Sequence, residues 1–270
     1  MLETRSDQAT GLRRMFGRDA VQVMSIAAGG TRAPTLVTLN LAAALARLGH
    51  RPLLLDLSMG EAAGATGLRA RYDLSHAVDG DKPIADIVLR CPDGFSILPA
   101  TRGLTRLAAR GRAWQQTLAA MLPPEPAFNL WLVNGIAPPL DSEGDEAPLM
   151  VVSLSREGIT EAYGQMKALV QRQGQREFRV VMDRAESEGA ARTAYASIAE
   201  TSRRFLSARL DYCGYLPRDD GTPSRIDSRS VAERVPLTDA RSPRGFAFAR
   251  LAEAVAQSLP VDLTCFALNH

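Results

Sequence analysis

The stretch Ala28-Gly29-Gly30-Thr31-Arg32-Ala33-Pro34-Thr35 has the layout of a loop that holds phosphate. The apolar run Val21–Ala27 before it reads as a buried strand. After it, Leu36, Leu39, Ala42, Ala43, Leu45 and Ala46 recur at helical spacing, with Gly49 as the stop. Strand, glycine turn and helix aim backbone N–H groups and the positive end of a helix at an anion. Such a loop also needs a lysine as a point charge on the terminal phosphates. Pro34 occupies that place, with no ammonium group and no backbone N–H. Two readings stay open. Arg32 is a substitute cation able to hold phosphate bidentately, or the segment is a plain strand–helix turn with Pro34 in the first helical turn, where proline is favoured.

Further polar residues end apolar runs. Pro52–Asp56, Leu130–Asn134, Leu149–Ser153 and Phe178–Met182 are near-continuous apolar stretches, as are Phe95–Pro99 and Leu210–Tyr215. Runs of this kind suit parallel strands buried on both faces. Helical stretches lie between them at 103–121, 158–173, 189–207 and 244–259. The alternation predicts one α/β domain over 21–270, with a doubly wound, mostly parallel sheet, after a polar arm at 1–20. Asp56, Asn134, Ser153, Asp183 and Pro217 to Asp219 fall at strand ends, where such sheets bind ligands.

Each has a plainer reading. Asp56 is a carboxylate capping a neighbouring turn. Asn134 is a loop residue before Gly135, tolerant of left-handed backbone. In the last helix, Phe246, Phe248, Leu251, Ala252, Val255 and Leu259 read as core packing. Trp114 and Trp131 read as core, and His50 and His76 as isolated, satisfied or solvated side chains.

Composition sets bounds. A net charge of +2 over 270 residues gives no argument for nucleic acid. Cys91, Cys213 and Cys265 are far apart and show no metal or disulfide spacing, which fits a reducing compartment. The start is polar, and no apolar run reaches the roughly 20 residues of a membrane span. A cytoplasmic protein is expected. The tail, residues 260–270, has no Lys or Arg, so membrane contact is expected to be weak or none.

The order of glycine loop, helix and Leu53-Leu54-Leu55-Asp56 resembles the opening of the MinD/ParA-type ATPases, which have a P-loop fold. Two stretches narrow the resemblance to the FlhG/FleN flagellar-number regulators. They are Asp7-Gln8-Ala9-Thr10-Gly11-Leu12-Arg13 near the start, and Phe205-Leu206 with Asp211-Tyr212-Cys213-Gly214-Tyr215-Leu216-Pro217-Arg218-Asp219 late in the chain. Ile159–Tyr163 also looks like a helix start of that family.

The resemblance implies an ATP-binding dimer that turns over slowly. It also implies an N-terminal element that stimulates an FlhF-like GTPase, and contacts with a flagellar transcription regulator or a switch-ring protein. By that correspondence the family's two loop lysines become Gly29 and Pro34. Thr35 matches the magnesium-binding threonine, and Asp56 the acid that activates water. Ser58 replaces the next acid. Asn134 replaces a strand-terminal aspartate, and Asp183 an asparagine beside adenine.

The expectation is therefore a non-hydrolysing member with no catalytic residue and no cofactor or metal. ATP with Mg²⁺ stays open as the alternative. The vestigial nucleotide site comprises Gly29, Gly30, Arg32, Pro34, Thr35, Asp56, Asn134, Asp183 and Arg218. The partner-binding residues are Asp7, Gln8, Ala9, Leu12 and Arg13, on a short helix that docks on the GTPase. Alternatives are a weak ATPase or nucleotide sensor built on Arg32 and Asp56, or a ParA-like partner of another polar machine.

Overall fold

In the computed structural model, which describes residues 21–29, 34–111, 113–123, 128–138, 147–218 and 237–258, the apolar runs become strands. In chain order the strands are β1 (Gln22–Ala28), β2 (Pro52–Asp56), β3 (Leu89–Arg90), β4 (Ser96–Pro99), β5 (Leu130–Asn134), β6 (Leu149–Ser153), β7 (Glu177–Ala185) and β8 (Arg209–Pro217). They form one sheet in the order β3-β4-β2-β5-β1-β6-β7-β8. Every pairing is parallel except β3 with β4. From β1 the chain winds one way to β2, β4 and β5, then the other way to β6, β7 and β8. The reversal puts the switch point of the sheet at the carboxyl end of β1, where doubly wound sheets take ligands.

Alternation along the strands sends side chains to two faces. Met24, Ile26, Leu54, Leu130, Leu132, Leu149 and Val151 share one core with α1 (Thr35–Arg47) and the last helix, Pro243–Ser258. Val23, Leu53, Leu55, Trp131 and Val133 point the other way. They meet α3 (Leu74–Val78), α4 (Thr101–Ala109) and α5 (Trp114–Met121); the short α2 is Glu61–Ala65. On the same side Met150, Val152, Val180 and Met182 pack under α6 (Arg156–Gln173) and α7 (Glu188–Leu206). The helix Pro243–Ser258 is α8. All five residues of β2 and of β5 are buried, as helices on both faces of a parallel sheet require. Trp114 and Trp131 stack within this core at 6.5 Å between ring centroids.

Three expectations change. The stretch 103–121 is two helices, because Gly111 takes φ 138° and breaks the ladder before α5. The break lets Trp114 turn inward to 1% exposure. Phe246 is 61% exposed; only Phe248, Leu251, Ala252 and Val255 of the expected set lie in the core, and Leu259 lies outside the described residues. Strands β7 and β8 extend further than the apolar runs indicate, carried past a bulge between Val180 and Val181. The arm at 1–20 and the tail at 260–270 lie outside the described residues.

Asp73 joins two short helices. Its Oδ1 accepts from Ser75 N and Gly103 N, both at 2.8 Å, and its Oδ2 from Arg102 N at 3.3 Å. It thus caps α3 and the otherwise uncapped start of α4. Asp73→Ala is expected to lower stability by about 2 kcal/mol, more than one cap normally contributes. Asp73→Asn, whose amide oxygen still accepts, should lose less; urea denaturation of the two variants checks the order.

Candidate functional site

Asp56 ends β2, Asn134 ends β5, and Thr35 opens α1, so all three meet at the carboxyl edge beside β1. Both Asp56 and Asn134 are 0% exposed, and Thr35 is 3% exposed. Asp56 ends up buried because β2 is covered on both faces. A buried carboxylate then requires donors. Its Oδ1 accepts from Ser58 N at 2.9 Å, from the Ser58 hydroxyl, and from Asn134 Nδ2 at 3.3 Å. Its Oδ2 has no partner among the described residues.

The Asn134 amide is fully used. Nδ2 donates to Thr35 Oγ1 at 3.1 Å and to Asp56, while Oδ1 accepts from Thr38 Oγ1 at 3.1 Å. The neighbouring carboxylate fixes this orientation, since the flipped amide would set oxygen against oxygen. Asn134 is therefore a buried hub at a strand end, not the turn residue that Gly135 suggests. Thr35 Oγ1 donates onward to Glu61 Oε2 at 3.3 Å, tying α1 to α2. Between Asp56 and α2, Met59 and Gly60 adopt left-handed φ of 58° and 94°, and Met59 N meets Thr101 Oγ1 at 3.3 Å.

Pro34 is the residue before α1 and not part of its first turn; its carbonyl accepts from Thr38 N at 2.9 Å. Gly29 lies hard against α6: a Cβ there would fall 2.5 Å from Ala162 N and 2.6 Å from Glu161 Cβ. Glycine at 29 is required by this approach. Gly30, Arg32 and the partner-binding set Asp7, Gln8, Ala9, Leu12 and Arg13 lie outside the described residues.

Asp183 belongs to a second cluster. It is near the end of β7, and its Oδ1 pairs with Arg244 Nη2 at 2.7 Å, the side chains being 15% and 10% exposed. Arg244, in the first turn of α8, also donates from Nη1 to Pro217 O at 2.6 Å and lies over Phe248. Arg218 follows at the end of β8, where its N donates to Ala185 O at 3.2 Å. The edge thus holds two separate groups, Thr35–Asp56–Asn134 and Asp183–Arg244, rather than one ring of site residues. The sequence reading missed Thr38, Glu61 and Arg244. Thr38 lies one turn after Thr35, which is a usable signal. Glu61 and Arg244 carry none, being 26 and 61 residues from their partners.

No protein-family model matches the chain. Antiactivator FleN of Pseudomonas aeruginosa is 29% identical over 265 residues, spanning 90% of this chain and 89% of FleN. This similarity supports placing the chain with the MinD/ParA-type proteins, on the side of FleN. Chromosome-partitioning ATPase Soj of Thermus thermophilus is 33% identical over 136 residues, 46% of this chain and 53% of Soj. MinD cell division protein of Aquifex aeolicus superposes with a TM-score of 0.63 at 20% identity, covering 89% of this chain and 100% of that one. MinD of Pyrococcus furiosus gives 0.58 at 18% identity, covering 87% and 98%. These structures share the fold, a mostly parallel sheet between helices.

MinD/ParA-type folds imply ATP with Mg²⁺, and the donors here can be tested against that group. Thr35 Oγ1 and the carboxylate Asp56 are suitable oxygens, and the partnerless Asp56 Oδ2 would suit a cation. The amide N–H groups of Asn134, however, occupy lone pairs on both oxygens. Gly29 is closed off by α6, and Pro34, just before α1, has neither an ammonium group nor a backbone N–H. This set of groups does not fit a magnesium–triphosphate. Among the described residues, no cluster of three or more His, Cys, Asp or Glu could hold a metal, and no helix is long and apolar enough to cross a membrane.

Gly29→Lys is expected to destabilise the protein by about 1–3 kcal/mol through overpacking on α6. Thermal unfolding measures it. Arg244→Ala should cost about 3 kcal/mol by leaving Asp183 buried and unpaired. In a double-mutant cycle, adding Asp183→Ala should then cost less than the sum of the single changes.

Proposed function

We propose that this chain is a regulator of flagellar number or placement that works through its partners and does not turn over ATP. Similarity to antiactivator FleN along nine-tenths of the chain supports the regulatory role. The observation that carries the rest is the bridge of Asn134 Nδ2 between Thr35 and Asp56. Thr35 Oγ1 and Asp56 Oδ1, which would face a metal-bound phosphate, are each engaged by other groups of the chain. A terminal phosphate needs cationic or N–H donors, and the loss of each such contact typically costs a few kcal/mol.

On this reading residues 1–20 are an activator arm, and 21–270 the platform that presents it. Asp7, Gln8, Ala9, Leu12 and Arg13 contact an FlhF-like GTPase. Ala9, Leu12, Met15 and Phe16 supply the apolar stripe of a docking helix, and Gln8 orients a catalytic group or water of the partner. Gly11 weakens the free helix by about 1 kcal/mol, which suits folding on contact. A flagellar transcription regulator or a switch-ring protein is the second partner. The protein acts in the cytoplasm, without nucleic acid and with little membrane contact.

Oδ2 of Asp56, without a partner among the described residues, favours a second reading, a nucleotide sensor in which Arg32 supplies the cation. Titration with a fluorescent ATP analogue and Mg²⁺ separates the two. The first reading expects no binding up to millimolar nucleotide, and the second expects binding that Arg32→Ala and Asp56→Ala abolish. The partner contact has its own test. A peptide of residues 1–20 is expected to raise the GTP hydrolysis rate of the FlhF-like GTPase of the same cell several-fold, and the Gln8→Ala peptide to lose most of that effect. An unchanged rate with the unaltered peptide would sink the activator role.

A further inference from the structure

We propose that the side-chain amide of Asn134 is a built-in replacement for a divalent cation, holding Thr35, Asp56 and the loop between Asp56 and Glu61 in one fixed arrangement. The proposal rests on the reading of the chain as one without nucleotide turnover and gives its chemical cause. Two oxygens meet the Asn134 amide with no cation among the described groups around them: Thr35 Oγ1 and Oδ1 of Asp56, which is 0% exposed; Oδ2 of Asp56 is buried without a partner among the described residues. Oxygens gathered in this way are held together either by a hard cation or by donors. Nδ2 of Asn134 carries two hydrogens and spends one on Thr35 Oγ1 at 3.1 Å and one on Asp56 Oδ1 at 3.3 Å. The amide thus bridges the two groups that an ion would bridge, without a net charge and without an exchangeable ligand.

The bridge reaches further than its own atoms. Asp56 Oδ1 takes the N–H and hydroxyl of Ser58, and Thr35 reaches Glu61, so both ends of the loop at 57–61 are tied to the hub. An ion can leave and let such a loop relax. An amide on the backbone of a fully buried strand cannot.

The proposal predicts a gain of metal dependence from one atom pair. Asn134→Asp replaces the bridging N–H groups by a second carboxylate against Asp56. Two buried carboxylates in contact repel unless a cation comes between them. The oxygens of Asp56, Thr35 and the new carboxylate then form a hard-cation set, and Oδ2 of Asp56 has no partner among the described residues to compete for it.

Full-length protein is melted in EDTA, in MgCl₂ and in MnCl₂, with Mn²⁺ binding followed by electron paramagnetic resonance. The unaltered chain should melt at the same temperature in all three and leave Mn²⁺ free. Asn134→Asp should melt roughly 5–10 °C lower in EDTA, regain most of that loss in either cation, and bind about one Mn²⁺. Asp56→Asn with Asn134→Asp restores one amide to the pair and should be stable in EDTA and indifferent to cations. If Asn134→Asp folds only when prepared with cation, the proposal stands; if it folds in none of the three, or is as stable as the parent in EDTA, the proposal is overturned. Cation stabilisation of the unaltered chain, or of the double variant, also overturns it. None of these outcomes depends on the GTPase assay, so this inference and the activator role fail separately.

Discussion

A carboxylate that is 0% exposed and has no ammonium, guanidinium or metal beside it among the described residues dictates the carboxyl edge of this sheet. Asp56 cannot move to solvent, because β2 is covered by helices on both faces. Its charge must be met by donors, and the chain supplies a serine two residues past the strand, an asparagine from the neighbouring strand, and through it two threonines of α1. Each of those residues is then constrained in turn. Asn134 has to present nitrogen to Asp56, so its oxygen has to find Thr38. Thr35, accepting from Asn134, has its proton left for Glu61. The order of these contacts follows from donors and acceptors alone.

The same logic recurs at the other positions where a nucleotide-binding relative would leave groups open. The first loop glycine is occupied by the backbone of α6. Asp183 and the carbonyl of Pro217 are taken by Arg244, a buried guanidinium that needs both. The start of α8 is an unfavourable place for a cation next to a helix dipole, and the ion pair with Asp183 offsets that cost. The three adjustments are made by different elements at different ends of the chain. They agree in one respect: among the described side-chain groups of Thr35, Asp56, Asn134, Asp183 and Arg244, the buried oxygen without a partner is Asp56 Oδ2.

The fold was legible in the sequence because its signal is local. Apolar runs such as Leu53–Leu55 and Leu130–Val133 can be buried on both faces only in a parallel sheet between helices, and β2, β5 and β6 fall where the runs place them. The division of 103–121 was not legible, since the helical period continues across Gly111 and only the backbone at that glycine ends it. Phe246 misled for a related reason: an aromatic residue in an amphipathic helix reads as core, and its face is decided by how α8 lies on α1. The candidate site was half legible. Thr35, Asp56, Asn134 and Asp183 could be placed at strand and helix ends. Their partners could not, because Glu61 and Arg244 reach them through tertiary packing. Asn134 was misjudged as a turn residue because the following Gly135 gives a strong local signal, and the burial that overrides it comes from two neighbouring strands.

A protein that switches on a ligand needs two states that the ligand binds unequally. In an open site the difference comes from groups that are unsatisfied in one state and satisfied in the other. If Asn134, Gly29 and Arg244 satisfy those groups internally, as the proposed function has it, a nucleotide has little left to distinguish, and a ligand of equal affinity for two states shifts neither. On the reading proposed above, regulation then passes to whatever the chain still presents for others to bind. That places the control in a partner's own cycle and in the amount of this protein.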